Sequence, residues 1–260
     1  MGVFRWQDLT SADIGKADKS RAVVVFPLAA IEQHGPHLPL STDAVLAEGY
    51  LGELEQIGLK DFDVYILPLQ SIGWSIEHQS FPGTLTGTSD ILLKLWKHIA
   101  LQVIGAGFVK LVFINSHGGN VPLMDILIRE LRAETAIFAV ATNWLRFGYP
   151  DDLVDADERA FGIHGGLVET AMMMHLAPQL VRKDALANFP STQEYYIKTF
   201  ACLTAYGRHQ FGWLAEDLNT NGVVGDAKKA TAAIGEALIQ HIVQKFIILL
   251  RDVNKAPNFT

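Results

Sequence analysis

At 260 residues, 49% hydrophobic and 19% charged, the chain is long enough to bury a sizeable core and to form one α/β domain. A formal net charge of −7 without a long basic run excludes bulk attraction to a phosphate backbone, so nucleic acid is not an expected partner. The one cysteine, Cys202, excludes an intrachain disulfide. With no signal-peptide start and no uncharged apolar stretch of about 18 residues, a soluble cytoplasmic setting away from the membrane is expected.

Four runs rich in apolar and β-branched residues, 21–28 (RAVVVFPL), 64–69 (VYILPL), 109–115 (VKLVFIN) and 137–142 (IFAVAT), alternate with segments of helical patterning. That alternation predicts parallel strands joined by crossover helices. Between the second and third runs, Thr88 or Ser89 caps a predicted helix with Ile91, Leu92, Leu95 and Ile99 on one face, ending near Gly105 or Gly107. After the third run, Asn120 caps a helix with Pro122 in its first turn, followed by Leu123, Ile126, Leu127, Glu130 and Leu131. Residues 178–222 are aromatic and turn-rich without clear periodicity and read as a loop excursion, and 225–251 read as a long closing helix. With neither repeats nor a linker, a single domain over 1–260 is expected.

Ligands of an open parallel sheet bind beyond the carboxyl ends of its strands. The unusual polar residues fall at those ends. Glu32 and His34 follow the first run, QSIGWSIEHQS (70–80) the second, NSHGGN (115–120) the third and NWLRFG (143–148) the fourth, so one rim collects Glu32, His34, Asp43, His78 and His117, with Asn143 and Trp144. If residues 31–35 are extended, Glu32 and His34 point to the same side. Carboxylates and imidazoles without a thiolate suit Zn²⁺ or Mn²⁺; one metal needs about three protein ligands plus water, and a further donor with a bridging carboxylate allows two.

The candidate fifth donor is Glu169 in HGGLVETAMMM (164–174). Its neighbours Val168, Ala171, Met172 and Met173 argue for a buried, partnered carboxylate, the alternative being an exposed helical one. His164 falls on the turn leading into that helix, which suits either a mobile proton donor or a histidine without chemistry. Trp74, His78, Phe81 and Trp144 follow strands at the same rim and are candidates for substrate binding, the alternative being ordinary loop packing.

Four motifs, EQHGPHLPLSTD (32–43), FPGTLT (81–86), NSHGGN (115–120) and HGGLVET (164–170), resemble in content and order those of the creatininase (creatinine amidohydrolase) family, across roughly residues 20–180. The resemblance implies a three-layer α/β/α domain with a mainly parallel sheet, a dimetal hydrolytic site, action on non-peptide C–N bonds of small amides, and often a homohexamer. Carried over by position, Glu32 and His117 resemble terminal ligands of one metal, His34 a ligand of the second, Asp43 the bridging carboxylate and His164 the proton-transfer histidine. One position departs. Creatinine-cleaving members carry a metal-binding glutamate two residues after the histidine that matches His117, and here that place is Gly119. Glu169 is the expected replacement.

The activity expected from this pattern is hydrolysis of a small-molecule amide such as creatinine, with two divalent ions, Zn²⁺ and/or Mn²⁺, activating a water and His164 protonating the leaving nitrogen. Alternatives within the family are a formamide hydrolase of cofactor biosynthesis and an enzyme that trims a modified peptide. A non-catalytic binding protein is the alternative outside it and would carry a defective ligand set. A phosphate-binding reading of NSHGGN fails because Asn120 and Val121 follow the glycines where a P-loop needs a lysine and a hydroxyl.

Overall fold

The computed structural model describes residues 1–259. Five strands, β1 (Val3–Arg5), β2 (Val23–Leu28), β3 (Val64–Ile66), β4 (Lys110–Asn115) and β5 (Phe138–Asn143), form one parallel sheet in the order β1-β3-β2-β4-β5. A second, antiparallel pair joins β6 (Asn188–Phe189) to β7 (Gly225–Asp226). The helices in chain order are α1 (Ser11–Lys16), α2 (Thr42–Ile57), α3 (Ser89–Gly105), α4 (Val121–Glu134), α5 (Ala156–Phe161), α6 (Leu167–Leu176), α7 (Gln193–Thr199), α8 (Ala215–Leu218) and α9 (Ala232–Lys255).

Side chains of a strand alternate between faces, so each buried strand feeds two cores. Val23, Val25, Val64, Ile66, Val112 and Ile114 pack with α2, α6 and α9, while Val24, Phe26, Tyr65, Leu111 and Phe113 pack with α3 and α4. The result is the expected three-layer α/β/α sandwich with a mainly parallel sheet. Strand β1 was not evident in the sequence, being only three half-buried residues at the sheet edge. It is secured by Arg5, which donates two bonds to the Glu55 carboxylate, at 2.7 and 2.8 Å, and one to Glu48 of α2.

Other elements differ in detail from expectation. The buried stripe of α3 is Leu92, Trp96, Ala100 and Val103, whereas Ile91 and Leu95 are exposed, because the face is set by the large Trp96. Asn120 precedes α4 but its side chain makes no capping bond. The closing helix starts after Thr231, whose hydroxyl accepts from Ile234 N at 3.3 Å, because 225–226 pair with β6 and 227–229 form a 3-10 turn. By length and composition α9 could cross a bilayer, yet Leu238, Ile242, Phe246 and Leu250 lie in the core against the sheet, so it is a core helix.

Helices α6 and α9 cross closely at Gly235, where an added Cβ would lie 2.0 Å from the Ala171 carbonyl oxygen. Gly235→Val is therefore expected to push the helices apart and destabilise the protein by about 1–3 kcal/mol, read as a lowered midpoint in urea unfolding with an unchanged slope.

Candidate metal centre and its cavities

The order of the strands creates the site. From β2 the chain passes through α2 to β3 on one side, then returns across the opposite face through α3 to β4 on the other side of β2. The loops after β2 and β4 therefore diverge and leave a crevice at the carboxyl ends of the two strands, the switch point where ligands of such sheets bind. Glu32 and His34 come from the first loop, Asp43 from the first turn of α2, His117 from the loop after β4, His164 from the turn before α6 and Glu169 from the first turn of α6.

Amide side chains hold these loops in register. Asn115 Oδ1 accepts from His117 N at 3.1 Å and from Asn120 Nδ2 at 3.0 Å; Asn120 Nδ2 also donates to Ala29 O at 3.0 Å, and Asn120 Oδ1 accepts from Trp74 N at 2.8 Å. Ser116 Oγ donates to the Asp43 carbonyl at 2.9 Å. The Asn120 side chain thus knits three loops together, which is why it is not free to cap α4.

Six functional side chains converge. Glu32 Oε2 lies 3.1 Å from His117 Nδ1, Asp43 Oδ2 is 3.4 Å from the same nitrogen, and Asp43 Oδ1 is 3.5 Å from His34 Nε2. Glu169 Oε2 lies 3.8 Å from His34 Nε2, and His164 Nδ1 3.7 Å from Glu32 Oε1. Asp43 thus stands between two sets of donors, one with Glu32 and His117, the other with His34 and Glu169; a third set joins Glu32, His34 and His164.

The remaining ring nitrogens show which atoms are free. His34 Nδ1 meets the Glu32 carbonyl at 3.1 Å and His117 Nε2 meets the Trp74 carbonyl at 3.0 Å. A carbonyl only accepts, so each of these nitrogens carries a proton, and the opposite one, His34 Nε2 or His117 Nδ1, faces the carboxylates and is the nitrogen that a cation would take in place of a proton. Both oxygens of Glu32, His34 Nε2 and Asp43 Oδ2 are buried without a hydrogen-bond partner. Buried polar atoms are rarely left so. Orphaned oxygen and imidazole donors within 4.8 Å of one another have the chemistry of a divalent cation site, and the residues present fit one.

The electrostatics agree. Burial opposes protonation of both imidazoles, but Asp43, Glu169 and Glu32 lift His34 to about 9, and Glu32, Asp43 and Glu77 lift His117 to about 10. Burial pushes the Glu169 carboxyl up to about 7. Without a cation, protons on the imidazoles supply the positive charge that the carboxylates require.

Two cavities flank this cluster. The larger, about 420 Å³, is lined by Trp74, Glu77 and His78 on one side and by Tyr206, Phe211 and Trp213 on another. The smaller, about 290 Å³, is bordered by Ser116, Asn143, Leu145 and Arg146. Both reach Glu32, His117, Gly118, Ile163 and His164, so the cluster lies where they meet.

Of the residues expected at the site, Glu32, His34, Asp43, His117, Glu169 and His164 are brought together, and Trp74 and His78 line the larger cavity. Two expected substrate contacts are corrected. Trp144 is fully buried beneath the cluster, stacked on Tyr50 at 4.5 Å, and Phe81 stands outside the lining of both cavities. His164 is also less mobile than its turn position suggested: its Nε2 donates to the Gln33 carbonyl at 2.9 Å, and its ring sits between those of His34 and His78, with centroids 4.2 and 4.3 Å away. Tyr206, Phe211 and Trp213 were not anticipated; their only signal was the aromatic density of an aperiodic segment.

The creatininase family model, described as creatinine amidohydrolase, matches residues 7–250. The chain belongs to the creatininase family. Among curated relatives, a mycofactocin precursor peptide peptidase of Mycolicibacterium smegmatis is 32% identical over 226 residues, covering 85% of this chain and 81% of that protein. A creatinine amidohydrolase of Pseudomonas putida is 28% identical over 73% of this chain and 76% of its own length. The crystal structure of a putative creatinine amidohydrolase from Bacteroides fragilis superposes with a TM-score of 0.77 at 22% identity, covering 99% of this chain and 98% of the other, and shows the same fold.

Because a metal must displace the protons on His34 and His117, metal uptake by this creatininase-family chain at pH 7 is expected to release protons. Calorimetric titration of metal-free protein with Zn²⁺ in buffers of different ionisation enthalpy checks this, and release should fade as pH rises through about 9 to 10. Linkage gives the matching stability effect. The raised imidazoles stabilise the metal-free fold fully below their ordinary value of 6.5, and that contribution is lost as pH rises through about 9 to 10.

Proposed function

We propose that this chain is a dimetal amide hydrolase that cuts a short peptide. The observation that carries the reading is the position of the orphaned donor cluster at the junction of two cavities, which leaves room for substrate on both sides of the bond to be broken. The 32% identity to a precursor peptide peptidase supports it independently.

Glu32, Asp43 and His117 would hold one ion, and His34, Asp43 and Glu169 the other, with Zn²⁺ or Mn²⁺ the ions suited to these donors. Two such ions supply an activated water and polarise the amide carbonyl. Three carboxylates against two dications leave about one net positive charge, which favours a developing oxyanion. His164 Nδ1, directed at Glu32 with its lone pair free, is placed to take the proton of the attacking water and to pass it toward the leaving nitrogen. The aromatic wall of Trp74, Tyr206, Phe211 and Trp213 would receive an apolar side chain of the peptide, and Arg146 borders the opposite cavity.

Gly119 weighs against creatinine as the substrate. A Cβ there would lie 2.4 Å from the Trp74 carbonyl oxygen and 2.5 Å from Glu77 Oε1, so the glutamate of creatinine-cleaving members does not fit beside the present 74–77 turn. Glu169 stands in the His34 set and supplies a carboxylate from α6 instead.

Protein purified without chelator is expected to contain about two metal ions per chain by elemental analysis. It should cleave members of a library of short peptides while leaving creatinine intact; creatinine turnover with every peptide untouched would move the assignment to a small cyclic amide. His164→Ala should keep the metals and lose about 10²–10⁴ in turnover, whereas loss of metal would make His164 a ligand. Glu169→Gln should lower occupancy of one of the two metals, and unchanged stoichiometry would remove Glu169 from the set.

A further inference from the structure

Gln33 lies between the two donors of the first motif, Glu32 and His34, and its side chain is buried. Its amide orientation is settled by main-chain partners: Oε1 accepts from Gly35 N at 2.9 Å and Nε2 donates to the Gly222 carbonyl at 2.6 Å. The second hydrogen on Nε2 is directed at His78 Nδ1, 2.8 Å away. An amide NH₂ only donates, so His78 Nδ1 accepts and the proton of that ring sits on Nε2.

That proton faces the site. His78 Nε2 is 3.5 Å from Glu32 Oε1, and His78 lines the larger cavity. The same residue sets the neighbouring ring the other way, because the Gln33 main-chain carbonyl takes the Nε2 proton of His164 and leaves Nδ1 bare. Gln33 Nε2 also lies 3.3 Å from His164 Nε2, but both atoms are donors, so this is a contact and not a hydrogen bond. Two stacked imidazoles therefore meet the cluster in opposite states, His164 with a lone pair and His78 with an N–H.

We propose that Gln33 is a positioning residue that fixes His78 as the N–H donor of the site, hydrogen-bonding the substrate amide from the larger cavity while His164 acts as acceptor. The inference rests on the amide-hydrolase reading for its use, but the tautomers themselves do not depend on any metal. They divide two tasks of amide cleavage between two rings: His164 moves the proton of water toward the leaving nitrogen, and His78 holds the amide oxygen through a fixed N–H.

The test is ¹⁵N NMR of histidine-labelled protein, with and without Zn²⁺, the two rings assigned from His78→Gln and His164→Gln. Wild type should show both rings protonated at Nε2 and bare at Nδ1. In Gln33→Glu a carboxylate faces His78 Nδ1 and only accepts, so the His78 proton should appear on Nδ1, while His164, held by the main chain, keeps its pattern. Gln33→Met, which carries no charge toward the Gly222 carbonyl, removes the donor and should leave His78 as a mixture of tautomers. Peptide turnover should fall about 100-fold in kcat in both variants with metal content unchanged. A His78 ring protonated at Nδ1 in wild type, or a tautomer indifferent to both substitutions, would overturn the proposal. Absence of metal from a wild type that shows the expected tautomers would instead defeat the metal-centre reading alone.

Discussion

Glu32 and Asp43 are carboxylates at the floor of a cleft, almost wholly removed from water, with three oxygens between them that no protein donor satisfies. Burying an unpaired ionised carboxylate costs several kcal/mol, so the fold around it must either neutralise it or be strong enough to carry the cost. This chain does both. Imidazoles on two sides supply positive charge when no ion does, and the surrounding sheet, with β2 and β4 buried along their whole length on both faces, gives the loops a rigid base. A divalent cation, as proposed, would replace those protons with a better-matched charge, and its binding free energy would then be part of the stability of the native state.

Rigidity at the ends of the strands comes from contacts that carry no chemistry themselves. Gly35 and Gly165 both have positive φ, at 67° and 66°, and a Cβ on either would strike Val223, at 2.6 and 2.5 Å. Val223 is thus wedged between the turn after His34 and the turn after His164, and it directly follows the excursion whose aromatic residues wall the larger cavity. His37, the second histidine of the first motif, takes no part in the cluster; its Nε2 meets the Gly165 carbonyl at 2.9 Å and so ties the first loop to the start of α6. Placement of the donors and shaping of the cavity are therefore one mechanical unit.

The layers and the donor set were legible in the sequence for the same reason: both are written in local order. Strand β2 announces itself as a continuous apolar run, and Glu32, His34, Asp43 and His117 follow strand ends at short spacing. Glu169 was readable because its apolar neighbours favoured a buried, partnered carboxylate over an exposed helical one, and it is buried. What stayed hidden depends on contacts distant in sequence. The face of α3 turned on how Trp96 packs, and Asn120 looked like a helix cap because nothing local reveals that its amide reaches Ala29 and Trp74. Trp144 looked like a substrate contact because it follows a strand at the rim, but its side chain turns inward under the cluster. Tyr206, Phe211 and Trp213 sit in a segment without periodicity, and only the three-dimensional return of that segment over the site makes them its wall.

The division between cluster and wall explains how one family can hold proteins named for different amides. Hydrolysis asks for the same things of any amide: a water made nucleophilic, a polarised carbonyl and a proton for nitrogen, and these demands fall on residues at the strand ends. The 74–78 turn and the 206–224 segment, neither of which contributes a donor to the donor sets of the cluster, wall the larger cavity, and in the proposed reading they select the amide. Gly119 sits at the boundary between cluster and wall. With no side chain it lets the turn bearing Trp74 and Glu77 close against His117, and a carboxylate at that place would need a different turn and hence a different cavity wall. In the proposed reading, α6 supplies through Glu169 the carboxylate that position 119 does not.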